Sequence, residues 1–197
     1  MIGSTSWVVP GTYFDNAKLL EEIVDFVELL VYDWSDEVRN LLLVESEKLL
    51  RLDLAYTVHL PTNNVSDAKE AFDFFEEVGF PVLNYVLHPL EGWRYVQWND
   101  RISVENLMGR IDVHSRMVFD VGHHILGERF PDELIDNIVE VHLMGVKEGR
   151  DHMRLDEETA IIASRFVRGD TLVNFEVFDL DDLLHSIKVW QNVRPHG

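Results

Sequence analysis

The sequence has no cysteine among its 197 residues. Disulfide bonds and thiolate metal ligands are therefore excluded. Any metal ion that the protein binds must be held by histidine, aspartate and glutamate, a donor set that suits zinc, manganese or iron.

Basic residues are also scarce, since 17 lysines and arginines stand against 36 acidic residues and leave a formal net charge of −19. Binding a nucleic-acid backbone normally requires a basic stripe on the protein surface. Even three bound divalent cations would leave a net charge of about −13. We therefore expect a small-molecule substrate rather than long DNA or RNA.

Long apolar runs are absent as well, and none approaches the roughly 20 residues that a bilayer-spanning helix needs. The opening MIGSTSWVVPG has no basic stretch followed by an apolar one, so we expect no signal peptide and a cytoplasmic location. No glycine-rich phosphate loop of either usual spacing occurs. We expect no membrane partner.

The sequence does contain a regular alternation of short apolar segments with amphipathic helical ones. The eight predicted strands are IGSTSW, VELLVYDW, DLAYTVHL, FPVLNYVLH, ISVENL, RMVFDV, NIVEVHLM and TLVNFEVF. The predicted helices are NAKLLEEIVDF, DEVRNLLLVESEKLLRL, VSDAKEAFDFFEEVG with Ser66 as its N-cap, PDELIDN, DEETAIIASRFVR and DLDDLLHSIKVWQ. This pattern predicts an α/β protein, a compact single-domain (β/α)8 TIM barrel over residues 1–197.

The chain is short for such a barrel, which typically takes about 250 residues. The segment between Glu105 and Arg116, for example, has room for only a stub of helix. An open doubly wound sheet is the alternative fold. We favour the barrel because residues able to bind metal fall on strands along the whole chain, whereas an open sheet concentrates its site at one switch point.

Histidines and acids recur at the ends of the predicted strands or in the loops just after them. These nine residues are His59, His88, Glu105, Asp120, His123, His142, Asp151, His152 and Glu176. In a closed parallel barrel all the strand ends meet at one mouth. Burying so many ionisable groups together would be prohibitive without cations. The pattern therefore predicts one to three divalent metal ions, zinc or manganese, at the mouth.

At these residues the sequence resembles the xylose-isomerase-like barrel superfamily, which includes endonuclease IV and many sugar isomerases and epimerases. The resemblance covers essentially the whole chain. In the epimerases one metal is held by Glu, Asp, His and Glu from successive strands, and Glu105, Asp120, His142 and Glu176 occur here in that order. The resemblance implies that these four residues form the core of the site.

In endonuclease IV, further histidines and an aspartate hold two more metals. His59 and His88 match one additional set, which shares the first glutamate of the core. His123 matches the start of the third set, which Asp151 and His152 would complete. The endonuclease separates this Asp and His by one residue, whereas here they are adjacent. Adjacent residues of an extended segment point to opposite sides, so another role for one of the pair stays open.

Within the superfamily, the motifs are most similar to those of the cobamide-remodelling phosphodiesterase family, in which the adjacent Asp-His pair is normal. The matching segments are IGSTS at 2–6, YTVHLP at 56–61, EN at 105–106, DVGH at 120–123, HLMGV at 142–146, DH at 151–152 and EVF at 176–178. This resemblance implies hydrolysis of the nucleotide loop of a cobamide, releasing cobinamide and a ribazole-type phosphate. A diverged relative could act on another substrate.

Two or three metal ions at the mouth would suit phosphodiester hydrolysis, in which one lowers the pKa of a bound water and another stabilises the leaving oxygen. Glu105 would then bridge two metals. In an isomerase or epimerase, Glu105 and Glu176 would instead be the catalytic acid/base pair. Lys147, Arg150 and Arg154 are candidates for phosphate contacts, with a solvated loop as the other interpretation.

Three functions stay open on the sequence: a metal-dependent phosphodiesterase, a single-metal sugar isomerase or epimerase, and a non-catalytic metal- or ligand-binding protein. We favour the phosphodiesterase. An epimerase needs only the four-residue set and would leave His59, His88 and His123 without a role.

Aromatic residues lie at or just beyond several predicted strand ends and suggest a rim for a large flat ligand, such as a corrin or sugar rings. The candidate substrate-binding residues are Trp7, Trp34 and Trp93, accompanied by Trp98, Tyr13, Tyr32 and Tyr95. A self-packed hydrophobic lid or a dimer interface is the alternative. The residues predicted to have only packing or surface roles are Trp190, His114, His124, His185 and His196.

Overall fold

The computed structural model describes residues 1–194 of the chain. Eight parallel strands form a closed barrel: β1 (Ile2–Thr5), β2 (Phe26–Leu30), β3 (Ala55–His59), β4 (Val82–Leu87), β5 (Ile102–Glu105), β6 (Met117–Asp120), β7 (Ile138–Leu143) and β10 (Leu172–Phe175). Each strand pairs with the next of this series, and β10 pairs with β1 to complete the circle. The eight predicted strands and the barrel are thus confirmed, and the open sheet is wrong.

Helices cover the outside of the barrel and begin at side chains that cap their free N–H groups. They are α1 (Tyr13–Leu20), α2 (Asp36–Leu49), α3 (Val65–Val78), α4 (Val121–Leu126), α5 (Glu157–Ser164) and α6 (Leu180–Val193). Short 3-10 turns lie at Trp93–Tyr95 and Asp132–Asn137. A two-stranded antiparallel hairpin, β8 (Gly145–Lys147) and β9 (Arg150–Met153), follows β7.

Several details differ from the sequence prediction. The first predicted helix, NAKLLEEIVDF, instead begins at Tyr13 and ends at Leu20, so its last residue, Phe26, belongs to β2. Helix α4 and the β8–β9 hairpin were not predicted. Helix α3 begins two residues earlier than Ser66 would place it, because the Asn64 side chain accepts a hydrogen bond from the Asp67 N–H and acts as the N-cap. The segment PDELIDN forms only a 3-10 turn. Residues 106–116 contain a single bridge between Leu107 and Arg110 and no helix. These short connections explain how a barrel closes in 197 residues.

The apolar core lies between the helices and the outer face of the barrel. On α3, for example, the buried face consists of Ala68, Ala71, Phe72 and Phe75. Trp190 on α6 is buried in this core, as predicted. The inside of the barrel is different, because polar side chains from several strands are fully buried there. Within residues 1–194, no helix has the length and apolar character needed to cross a bilayer.

Candidate metal centre

The carboxyl ends of the barrel strands bring the core of the predicted ligand set together at one mouth. His59, Glu105 and Asp120 are the last residues of their strands, and Glu176 directly follows β10. The buried members of the set are His59, Glu105, Asp120, His142 and Glu176, while His88 and His123 are partly exposed. Because parallel strands end in register around a barrel, residues far apart in sequence become neighbours.

Glu105 lies at the centre of this cluster. Its Oε2 is 3.2 Å from Nε2 of His59 and 3.1 Å from Nε2 of His88. Its Oε1 is 3.6 Å from Nδ1 of His142 and 3.6 Å from Nδ1 of His123. One carboxylate therefore faces four imidazoles, two on each oxygen.

Glu176 forms the opposite side of the mouth. Its Oε2 is 3.3 Å from Nδ1 of His142. Its Oε1 accepts a hydrogen bond of 2.9 Å from the hydroxyl of Tyr32, whose ring packs edge-on against His59. Tyr32 therefore fixes the Glu176 carboxylate and leaves its other oxygen directed toward His142.

Asp120 and His123 are held by Asn106, the second residue of the EN motif. The Asp120 N–H donates to Asn106 Oδ1 at 2.8 Å, and Asn106 Nδ2 donates to the Asp120 carbonyl at 3.2 Å. The Asp120 carboxylate is also the N-cap of α4 and accepts from the His123 N–H at 2.6 Å. This cap places the His123 ring one helical turn away, on the mouth side.

The hairpin brings Asp151 and His152 to the rim of the same mouth. His152 has a φ of 52°, which lies in the left-handed region. The strict alternation of an extended strand is therefore broken, and His152 Nε2 lies 3.8 Å from Asp151 Oδ1. A Cβ placed on Gly122 would come within 2.8 Å of the Asp151 Cβ and 3.3 Å of Asp120 Oδ1. Asp151 thus lies directly beside the start of α4.

The donor set fits divalent metal ions, and two observations carry this test. Both ring nitrogens of His59 face oxygens that can only accept, with Nδ1 3.1 Å from the Leu60 carbonyl and Nε2 3.2 Å from Glu105 Oε2. The ring must therefore either carry a second proton or present its Nε2 lone pair to a cation held by Glu105. In addition, neither ring nitrogen of fully buried His142 has a hydrogen-bond partner. Unpaired buried nitrogens of this kind are costly in an ion-free site.

Four groups of three residues bring their donor atoms within 4.8 Å of one another in the part of the chain that the structure describes. They are His59–His88–Glu105, Glu105–Asp120–His123, His59–His142–Glu176 and Glu28–Glu140–His142. The first two share Glu105. Asp151 and His152 belong to none of these groups, so the third predicted set is incomplete in this arrangement.

The pKa values of the buried carboxyl groups and of His142 are shifted because these groups lie close to one another at the mouth. Burial by itself would raise the pKa of Glu105, but the charges of His88 and His142 hold it well below its usual range. Burial likewise opposes ionisation of Glu176, yet His142 lowers its pKa to about 2. Burial and the Glu105 charge raise the pKa of Asp120 to about 7. For His142, burial favours the neutral ring, but the neighbouring carboxylates raise its pKa well above the usual value.

The three candidate tryptophans lie in different surroundings. Trp7 is half exposed at the mouth and packs edge-on against Tyr32 at 5.6 Å. Trp34 packs against Phe74 of α3, outside the barrel. Trp93 is buried, and its indole N–H donates to Asp112. Of the three, Trp7 is the one that contacts the mouth through Tyr32 and His59, and a substrate-binding role for these tryptophans stays a prediction.

The basic residues predicted to contact phosphate and the remaining histidines also differ in their surroundings. Lys147 and Arg150 are exposed opposite each other on the hairpin. Arg154 instead pairs with Asp182 at the start of α6. His124 accepts a hydrogen bond from the Phe130 N–H, which agrees with its predicted structural role. His114 accepts from the backbone N–H of Arg116, His185 is exposed on α6, and His196 lies outside the described residues.

A layer of buried polar side chains beneath the mouth was missed by the sequence analysis. It consists of Glu28, Thr57, Asn84, Ser103, Glu140 and Asn174. A signal for most of it exists, because four of these residues stand two positions before a mouth residue that is on the same strand or directly follows it. They are Thr57 before His59, Ser103 before Glu105, Glu140 before His142 and Asn174 before Glu176. Positions i and i+2 of a strand share a face, so a polar barrel interior could have been predicted.

Comparison with known proteins identifies the fold. No protein-family model and no curated protein matches the chain. Among solved structures, a D-tagatose 3-epimerase-like protein superposes with a TM-score of 0.65 at 15% identity, over 98% of this chain and 96% of that one. SacUVDE superposes with a TM-score of 0.59 at 13% identity, over 98% of both chains. At 15% and 13% identity these likenesses show the fold, and nothing in them bears on the cobamide family. The chain therefore folds as a single α/β domain around a closed, eight-stranded parallel barrel of the TIM type.

Proposed function

We propose that the protein is a metal-dependent phosphodiesterase that acts on a small nucleotide-containing molecule. The observation that carries this proposal is the position of Glu105 between two groups of donors. His59 and His88 meet one of its oxygens, and His123 approaches the other. A carboxylate shared between two such groups is suited to bridging two metal ions, which a single-metal isomerase does not need.

The residues that would hold the ions are the three donor groups at the mouth. Divalent ions bound there would make water more acidic and stabilise negative charge on phosphate oxygens. Around them, the Tyr32 hydroxyl orients Glu176, and Asn106 holds Asp120. Lys147 and Arg150 are free to contact phosphate oxygens from the hairpin, since each is exposed.

We propose a cobamide as the substrate, because the sequence motifs resemble those of the cobamide-remodelling phosphodiesterase family. An apolar rim supports a ligand larger than a bare phosphate diester, because Trp7 and Phe178 are 46% and 41% exposed beside the mouth. Phe178 also packs on the ring of His152 at 5.0 Å. Two exposed rings flanking a polar site would suit a nucleotide attached to a flat, apolar body.

A sugar isomerase or epimerase is the second candidate function. Glu105 and Glu176 both lie at the mouth in contact with His142, as a single metal with two carboxylates would require. One structural neighbour is described as D-tagatose 3-epimerase-like. In this alternative, His59 and His88 would have no direct part in the chemistry.

Metal analysis and one substitution separate these functions. The purified protein, reconstituted with zinc or manganese, is expected to hold two or three equivalents and to hydrolyse bis-p-nitrophenyl phosphate. His59→Ala is expected to lower the bound metal by at least one equivalent and to abolish hydrolysis, since it deletes a candidate metal ligand beside Glu105. His185→Ala, on the exposed face of α6, serves as the matched control. A single equivalent with intact ketose epimerisation in His59→Ala would instead establish the isomerase.

The cobamide is tested separately. Incubation of the metal-loaded protein with a cobamide should release cobinamide, detected by its absorbance spectrum. Hydrolysis of bis-p-nitrophenyl phosphate without cobinamide release would keep the phosphodiesterase and reject this substrate.

A further inference from the structure

Glu28 connects the polar layer to the metal centre from below. It comes from β2 and is fully buried inside the barrel, across from His142 on β7. Its Oε1 accepts a hydrogen bond of 2.7 Å from Asn174 Nδ2. Its Oε2 is 3.5 Å from the Thr57 hydroxyl and 3.4 Å from Nε2 of His142. The carboxylate is therefore clamped in one orientation, with one oxygen directed at His142.

The two ring nitrogens of His142 face different surroundings. Nδ1 points into the mouth, 3.3 Å from Glu176 and 3.6 Å from Glu105. Nε2 points into the barrel toward Glu28. A neutral imidazole has one N–H and one lone pair. Only the tautomer with its proton on Nε2 directs an N–H at Glu28 and a lone pair at the mouth.

Three other histidines of the mouth have a backbone acceptor for Nδ1–H. Nδ1 of His59 lies 3.1 Å from the Leu60 carbonyl, Nδ1 of His123 lies 2.8 Å from the Asn106 carbonyl, and Nδ1 of His152 lies 3.1 Å from the Glu176 carbonyl. Neither ring nitrogen of His142 has a hydrogen-bond partner, but Glu28 Oε2 lies 3.4 Å from its Nε2. A proton on Nε2 of His142 is therefore favoured by the charge of a side chain rather than by a backbone carbonyl.

We propose that Glu28 is the positioning residue of the metal centre: it holds the proton of His142 on Nε2 and thereby presents Nδ1 as a metal ligand. This inference rests on the proposed metal centre. Metal-binding histidines commonly donate their second N–H to a carboxylate, and loss of that partner typically lowers metal affinity about 10- to 100-fold. Glu28 itself need not touch metal or substrate.

Glu28→Gln tests the proposal with little change of volume. The Asn174 amide donates to Oε1, so it favours the glutamine oxygen on that side. The glutamine NH2 group then faces His142 Nε2 and stabilises the opposite tautomer, with N–H directed into the mouth. We expect zinc affinity, measured by calorimetric competition with a chelator, to fall about 10- to 100-fold while the number of bound ions stays the same.

Two further variants separate this effect from general damage. Glu45→Gln changes a buried carboxylate of α2 that accepts from the Phe14 N–H of α1 and belongs to none of the candidate donor groups, and is expected to leave zinc affinity unchanged. Glu140→Gln distinguishes positioning from an additional ion among Glu28, Glu140 and His142. If both Glu28→Gln and Glu140→Gln lower the number of ions by one, Glu28 is itself a ligand and the positioning role is overturned.

The tautomer of His142 can also be measured directly in the zinc-loaded wild-type protein, so the test does not depend on whether a Glu28 variant folds. Long-range 1H–15N correlation of the histidine rings, with His142 assigned by its loss in His142→Gln, should show the proton of His142 on Nε2. A proton on Nδ1 overturns the inference. Unchanged zinc affinity in Glu28→Gln also overturns it and leaves the metal centre intact, whereas a wild-type protein that binds no zinc rejects the proposed function itself.

Discussion

Gly122 shows how closely the mouth is packed at the level of single residues. Its α-carbon lies where a side chain would collide with Asp151 and approach the Asp120 carboxylate. The glycine of the DVGH segment is therefore required by the close approach of the hairpin to α4 rather than by its backbone torsion. The absence of a side chain at this one residue leaves room for Asp151 beside the start of α4.

Gly122→Ala is expected to displace Asp151 from the mouth, because the new Cβ would lie 2.8 Å from the Asp151 Cβ. Overpacking of this kind costs about 1–3 kcal/mol of stability. We expect zinc affinity to fall about tenfold or more if Asp151 supports the metal centre, as measured by chelator competition.

Asp151→Ala provides the comparison for this prediction. If Gly122→Ala acts through Asp151, the double variant that carries both Gly122→Ala and Asp151→Ala should bind zinc no more weakly than Asp151→Ala alone, since coupled changes are not additive. Strictly additive losses would mean that Gly122→Ala disturbs the mouth by another route, through Met144 for example.

At the level of elements, the β8–β9 hairpin carries backbone strain at His152. His152 adopts a left-handed φ of 52°, while its Nδ1 lies within hydrogen-bonding distance of the Glu176 carbonyl. Such a backbone costs a non-glycine residue about 1–2 kcal/mol, and strain of this kind often marks functional positions.

His152→Gly and His152→Ala form a matched pair that tests this strain. Both remove the imidazole, so both should lower phosphodiester hydrolysis. Only glycine adopts the left-handed conformation without penalty, so the glycine variant should be more stable than the alanine variant by about 1 kcal/mol. Chemical denaturation measures the difference. Equal stability, or a more stable alanine variant, would show that the hairpin relaxes when the ring is lost.

How far the sequence predicts these elements depends on their length. Strands such as Ala55–His59 were predictable because each is a buried apolar run closed by a polar residue. The hairpin and α4 were not predictable in this way. Helix α4 has only six residues, VGHHIL, which is too short for a helical pattern of apolar residues to be recognised. The pairing of Asp151 with His152 depends on one left-handed residue, which no strand pattern reveals. Alternation around Thr57 and Glu140, by contrast, did point to the polar layer and was overlooked.

At the scale of the whole molecule, the buried carboxyl groups set the response to pH. Burial and the Glu28 charge raise the pKa of Glu140 to about 8 in the metal-free protein. The unfolded chain releases this proton near pH 4.5, so the folded state binds more protons between these values. Stability must therefore fall as the pH rises through this window, by about 1.4 kcal/mol per pH unit while the proton is retained.

The metal-free protein is accordingly expected to lose melting temperature between pH 6 and pH 8, and Glu140→Gln should flatten that decline. Exposed carboxylates titrate below this range and do not contribute to it. Thermal melts in the presence of a chelator measure both proteins. Parallel curves for the wild-type protein and the variant would show that Glu140 is ionised throughout.

The pairing of β1 with β10 has a consequence for how the proposed metal centre is completed during synthesis. Residues 1–143 already supply six of its candidate donors, yet the barrel stays open until β10 fills the gap between β1 and β7. Glu176, which follows that strand, is translated later than these six donors. A nascent chain of 143 residues would therefore hold only a partial donor set on an open sheet. The proposed site is expected to take up metal only after β10 has closed the barrel.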